Sequence, residues 1–379
     1  MIYIIVLIFL LIGVFVFEDG HDTKMRKRWY KLEWLILVLL AGLRYKVGGD
    51  TLGYHETYSN YTSFFNMKFT DLFSSDGNIL WMLLSYLCKT ICSDFVLFQI
   101  VHAVIFNTAI FYFFKKQTRR IFLAVLLYFI FYYFIYNMEI LRASLAVSVF
   151  LFSYKYFENK QWNKYLMCSL LALGFHSEAI FIFLFPIVHM LAKLHINLRS
   201  LGLLIVVTLV VFTINLIPYI QSVLSFSSSM SESLDYYGGR SDQGAGITFM
   251  GYTKIIILSS LWLLNLIVFR KDKVNLLRGW SFLLFFFYWQ SFNYSNIFYR
   301  AMDFSNPILI LSICSILEYC KGRLHLVTRG LLCSITIVML IELITLYASG
   351  KIIIYYPYSS VFNPVDYPER EYLWNLDWQ

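Results

Sequence analysis

The polar and apolar positions of this chain fall into long apolar runs separated by short basic turns. The first apolar run ends at Phe17 and gives way to Lys24, Arg26, Lys27, Arg28 and Lys31. The runs are mostly about 17 to 24 residues, the length an α-helix needs to cross a bilayer, and they lack the period-two alternation of barrel strands. The pattern therefore predicts an all-α, polytopic transmembrane helical bundle.

Charge orients it, because basic residues favour the cytoplasmic ends of spans. Inward turns are predicted at 24–31, 115–120, 155–164, 193–199, 270–278 and 321–329, and they hold 21 of the 31 Lys and Arg residues. Between them the expected spans are 1–17, 29–43, 95–114, 121–136, 142–157, 165–175, 179–192, 201–217, 255–269, 280–297, 301–319 and 331–348. That makes about 12 spans with both termini outside. The short run 79–91 would upset the alternation if it crossed, so it is placed as an outer re-entrant or interfacial helix. The outer segments are then 44–94, 218–253 and 350–379. Residues 1–379 are expected to form a single integral membrane domain.

Composition agrees with this reading. Hydrophobic residues make up 59% of the chain and charged residues only 14%, and the mean hydropathy is +0.64, whereas soluble domains are about a quarter charged. The net charge of +8 is accounted for by topology and does not require nucleic acid as a partner. Six cysteines lie in or beside apolar runs, without CxxC or metal-ligand spacing, and read as packing residues. The first run lacks a basic n-region and a small-residue cleavage site, so it is read as a span.

The basic residues left outside point to chemistry. Arg44 follows the second run and opens the glycine-punctuated stretch Arg44-Tyr45-Lys46-Val47-Gly48-Gly49-Asp50-Thr51-Leu52-Gly53-Tyr54. Arg142 and Arg300 are expected to begin inward-going helices, so that helix dipoles would reinforce an anion site at the outer interface. The planar guanidinium fork suits phosphate. Local i,i+3 pairing, Arg142 with Glu139 and Arg300 with Asp303, is the structural alternative. His176 and Glu178, in Gly174-Phe175-His176-Ser177-Glu178, are candidate general-base groups or an ordinary helical turn with Ser177 as cap. Arg240, in Asp235-Tyr236-Tyr237-Gly238-Gly239-Arg240, lies in an outer loop suited either to sugar stacking or to flexibility. Glu342, inside the last run, is a carboxylate in need of a partner.

Four of these features, in order, resemble the EpsG/Wzy-like family of membrane polysaccharide polymerases. They are Arg44 with the V-G-x-D-x-x-x-Y pattern from Val47 to Tyr54, Leu141-Arg142-Ala143-Ser144-Leu145-Ala146, Phe175-His176-Ser177, and Tyr299-Arg300. The second departs from the family pattern in having Ala143 where glutamine is usual. The resemblance implies a GT-C-like enzyme of the bacterial inner membrane, its site facing outside. Such an enzyme would transfer a growing glycan from undecaprenyl diphosphate to the next lipid-linked repeat unit.

On that basis Arg142 and Arg300 would hold the donor diphosphate with help from Arg44, and Tyr54 and Arg240 would contact substrate. His176 or Asp50 would serve as base or orienter, with Glu178 positioning His176. No metal and no cofactor are expected, because no D-x-D pair accompanies Asp50. The expected partners are the lipid-linked oligosaccharide and the bilayer, with a flippase and a chain-length regulator in the same pathway. A glycan ligase, a membrane acyltransferase and a flippase or transporter for the lipid-linked unit are the competing readings.

Overall fold

The computed structural model describes residues 2–20, 22–68, 78–194, 275–293, 296–320 and 347–377, with isolated helical positions elsewhere. The loop 218–253 with Arg240, and Glu342, lie outside the described residues, and the expected spans 201–217, 255–269 and 331–348 are described only at scattered helical positions. All regular elements among the described residues are helical. They divide into two compact units, Met1–His176 with Met339–Gln379, and Ser177–Val338.

The first unit begins with α1 (Ile2–Ile12), which widens into a π-helical turn at Gly13–Phe17, followed by α2 (Thr23–Gly42). The Asp22 carboxylate caps α2 by accepting from the backbone N–H of Lys24 (2.9 Å) and Met25 (3.0 Å). This cap draws the basic cluster 24–31 into the first turns of the helix, where the sequence reading had a loop up to residue 29. After the glycine-punctuated loop come α3 (Thr51–Asn60), α4 (Ile79–Ile91) and α5 (Phe95–Gln117). Asp94 caps α5 through the N–H of Val96 (3.1 Å).

Of the described helices, α5 alone is long and apolar enough to cross a membrane by both length and composition. At 1.5 Å per residue it spans about 34 Å. Shorter apolar helices accompany it, among them α4, whose 13 residues reach only about 20 Å.

The chain continues through α6 (Ile121–Phe131), a π-helical turn at Ile135–Glu139, α7 (Leu141–Glu158) and α8 (Trp162–Phe175). The predicted span 121–136 is thus a shorter helix followed by a widened turn. A closed set of buried amides and a phenol joins that turn to α5 and α6. Asn107 Nδ2 donates to Asn137 Oδ1 (2.8 Å), Asn137 Nδ2 to Tyr128 Oη (2.6 Å), and Tyr128 Oη to Asn107 Oδ1 (3.0 Å). Helix α5 is the centre of the unit, packing on α2 and α7, while α7 packs on α8. Gly42 of α2 lies so close to α5 that a Cβ there would meet Ile100 Cα at 3.0 Å. Tyr30 also ties the pair, donating to the Phe111 carbonyl at 2.8 Å.

The C-terminal part of this unit is a segment with a 3-10 turn at Lys351–Ile354 and a helix, Pro368–Asp377. It lies across the loop that follows α2, as described below.

In the second unit, the expected span 179–192 is a 3-10 helix at Ser177–Leu184 followed by α9 (Ile187–Leu191). Pro186, at the N-cap of α9, has no backbone N–H to extend the first piece into the second. Next come α10 (Leu276–Asn293), α11 (Asn296–Asp303) and α12 (Asn306–Cys320). Gly279 permits α10 to touch α9, since a Cβ would stand 2.3 Å from the Val188 carbonyl oxygen. Beside that contact the rings of Phe185 and Trp280 meet edge to face at 4.8 Å.

Candidate functional site

The first unit brings the loop 43–50, the turn 135–141 and the C-terminal segment together. Gly48 adopts φ +114°, and a Cβ on it would lie 2.4 Å from the Met138 carbonyl oxygen. Only glycine fits that conformation and that approach. Thr51 completes the junction, its one hydroxyl proton shared between the carbonyls of Val47 (2.8 Å) and Met138 (3.1 Å).

Arg44 lies inside this loop and is fully buried. Its Nε donates to the Val47 carbonyl (3.1 Å) and its Nη1 to that of Ala41. Burial lowers the guanidinium pKa to about 10, opposed by Tyr133, Tyr358 and Tyr3 around it, so it stays charged at neutral pH. Direct contact with a substrate, as expected from the sequence, does not fit a buried side chain that donates to its own loop. Arg44 shapes the stretch from beneath.

Asp50 precedes α3 and is exposed. One turn later Tyr54 is half-buried against Trp81, with ring centroids 5.3 Å apart. Arg142, in the first turn of α7, holds its guanidinium 5.7 Å from the Tyr54 ring centroid and 6.0 Å from that of Trp81. A cation at the positive end of a helix is unfavourable by itself. Aromatic faces offset part of that cost. The sequence stretch and the mid-chain motif thus meet at one aromatic platform.

The turn beneath Arg142 is held from the core. Ser144 Oγ donates to the Leu141 carbonyl (2.9 Å) and lies 2.7 Å from His102 Nε2. His102 was invisible to sequence reasoning because a histidine in the middle of an apolar run carries no motif.

His176 follows α8 in an extended conformation, φ −156° and ψ 133°. The preceding Phe175 packs against the hydrophobic cluster of Trp81, Tyr58, Phe98 and Leu141, which also includes Tyr54. His176 ends the first unit, whereas Glu178 and Arg300 belong to the second.

Arg300 does not begin a helix. It lies in the last turn of α11, the negative end of the helix dipole, where a cation is favoured locally. The expected dipole reinforcement therefore holds for Arg142 and not for Arg300. Three residues on, Asp303 accepts from Asn306 Nδ2 at 3.3 Å.

The sequence reading left the C-terminal segment without a role. Tyr45 N–H donates to the Ser359 carbonyl (2.9 Å), Gly48 N–H to that of Ile354 (3.1 Å), and Val361 N–H to that of Leu43 (3.0 Å). Lys46 Nζ pairs with Asp366 (2.7 Å) and Glu371 (3.2 Å). Arg370, 5% exposed, donates to the carbonyls of Ile353 (2.7 Å), Lys46 (3.2 Å) and Pro357. Tyr355 donates its hydroxyl to Glu139. Among the described residues no group of three or more His, Cys, Asp or Glu side chains is arranged to hold a metal ion.

A family model, that of the EpsG family, matches residues 27–360, most of the chain. No curated protein and no solved structure matches it.

Proposed function

Because the chain belongs to the EpsG family, a Wzy-like family of polysaccharide polymerases, we propose that it elongates a lipid-linked glycan at the outer face of a bacterial inner membrane. The donor is the growing chain on undecaprenyl diphosphate. The acceptor is the next lipid-linked repeat unit.

The observation that carries this reading is Arg142, a cation at a helix start over the rings of Tyr54 and Trp81. The aromatic faces suit a sugar ring, and the guanidinium suits the diphosphate that departs from it. In the reaction the acceptor hydroxyl attacks the anomeric carbon of the donor sugar and loses its proton. The carbon–oxygen bond to diphosphate breaks, and the leaving group departs with the electron pair. Arg142 stabilises that charge. Asp50 or His176 takes or orients the acceptor proton. Arg44 contributes through the loop.

One observation favours a second reading, a flippase for the same lipid-linked unit. Glu33 of α2 is fully buried among apolar helices, and intramembrane carboxylates often mark a path for ions or substrate.

Deletion of the gene separates the two. A polymerase mutant accumulates single lipid-linked repeats outside the membrane, and a flippase mutant accumulates them inside. Asp50→Asn with normal polymer would remove Asp50 from the chemistry.

A further inference from the structure

Resting on the polymerase reading, we propose that the C-terminal segment is a working wall of the outer site, in which Tyr355 acts as a positioning residue through Glu139. Its attachments are aimed at the two pieces of backbone that carry the candidate residues. The Ile354 carbonyl takes the Gly48 N–H, which fixes the loop leading to Asp50 and Tyr54. One residue later the Tyr355 hydroxyl reaches Glu139, at the end of the turn from which α7 and Arg142 begin. Glu139 also borders the loop directly, since a Cβ on Gly49 would stand 3.3 Å from Glu139 Oε1.

Tyr355 is itself held on several sides. Its carbonyl accepts from Tyr3 Oη at 2.8 Å, its N–H donates to Ile352, and its ring meets Phe134 edge to face at 5.4 Å. Burial, with Glu139 and Asp50 as neighbouring carboxylates, pushes the phenol far above its ordinary value. It remains a proton donor to Glu139 at any working pH. Arg370 then ties the segment back onto itself and onto Lys46 through three carbonyls.

A segment retained only for stability would be expected to bury its apolar side chains. This one buries them only in part: Ile352, Ile353, Ile354, Tyr355 and Tyr358 are half-buried. Tyr356, Phe362, Val365 and Tyr372 are exposed, while Ser359 and Arg370 are buried. Its hydrogen bonds converge on the Gly48 loop and the Glu139 turn.

The test compares Tyr355→Phe and Glu139→Gln with the wild-type protein in membranes of the producing bacterium, with its own lipid-linked repeat units as substrate. Membrane abundance, the rate of repeat-unit conversion and its pH profile are recorded together. Tyr355→Phe removes one oxygen and should leave abundance unchanged. A hydrogen bond to a charged group supports an expected rate loss of roughly tenfold or more. The pH profile should shift, and Glu139→Gln added to Tyr355→Phe should cost no more than Glu139→Gln alone.

A wild-type rate and pH profile for Tyr355→Phe would overturn the proposal while leaving the polymerase reading intact. Loss of the variant from the membrane would overturn it too, because Tyr355 would then be structural. If the wild-type protein itself converts no repeat units, the polymerase reading fails and the proposal goes with it.

Discussion

Gly48 and Met138 lie in van der Waals contact across two segments ninety residues apart in sequence, with no room for a β-carbon between them. This contact joins the glycine-punctuated loop to the turn that launches α7. It supports a direct expectation for stability. Gly48→Ala should destabilise the protein by about 3 kcal/mol or more, combining a positive φ with a clash against backbone. Gly350 also has positive φ, but a Cβ there meets nothing within 4 Å, so Gly350→Ala should cost only about 1 kcal/mol. Thermal unfolding of the two detergent-solubilised variants checks the difference.

Arg142 separates charge from geometry. Arg142→Ala should reduce polymer synthesis by about a hundredfold or more, as for other groups that stabilise a developing anion. Arg142→Lys keeps the charge but loses the fork and the flat stacking surface over Tyr54 and Trp81, so it should recover only a minor part of that loss. Polymer yield at equal membrane abundance is the measurement. Wild-type yield from Arg142→Ala would remove the residue from the site.

The Lys46 contact has a defined pH window. A hydrogen bond from Lys46 holds Asp366 below its ordinary value of 3.8, and the bond to Asp366 raises Lys46 above 10.5. The contribution of Asp366 is present above about pH 4 and lost as pH falls through its lowered pKa. That of Lys46 is present below about pH 10 and lost as pH rises through its raised one. The Asp366 side chain is 62% exposed, so the pair is worth under about 1 kcal/mol and weakens with salt. Limited proteolysis of the C-terminal segment should accelerate below pH 4 and, modestly, in high salt.

The buried ring of Asn107, Asn137 and Tyr128 should behave as a unit. Asn107→Ala leaves its former partners without their bonds and should cost about 1 to 3 kcal/mol. A second change, Tyr128→Phe, should then cost less than it does alone. A double-mutant cycle on melting temperature reads this directly, and strict additivity would show that the three side chains act independently.

The helical class was plain from the apolar runs, because a chain this poor in charge must satisfy its backbone within each segment. The positions of Arg44, Asp50, Tyr54 and Arg142 at helix ends were also legible, since a polar residue breaking an apolar run is visible one residue at a time. Their roles were not equally so. Nothing local distinguishes Arg44, folded under its own loop, from Arg142, half-exposed over two rings. Nor does an apolar run reveal the Asn107–Asn137–Tyr128 ring beside the π turn, or where Pro186 will divide a helix.

Local pattern was therefore sufficient for the helical class, the polar breaks at Arg44, Asp50 and Arg142, and the family signature, all of which arise from interactions a few residues apart. The meeting of residues 43–50, 135–142 and 350–377 depends on contacts between positions up to 325 residues apart, as in Lys46 with Glu371. Such contacts depend on α5 holding α2 and α7 together, and a hydrogen bond between distant backbone groups leaves no periodic trace in the side chains that flank it.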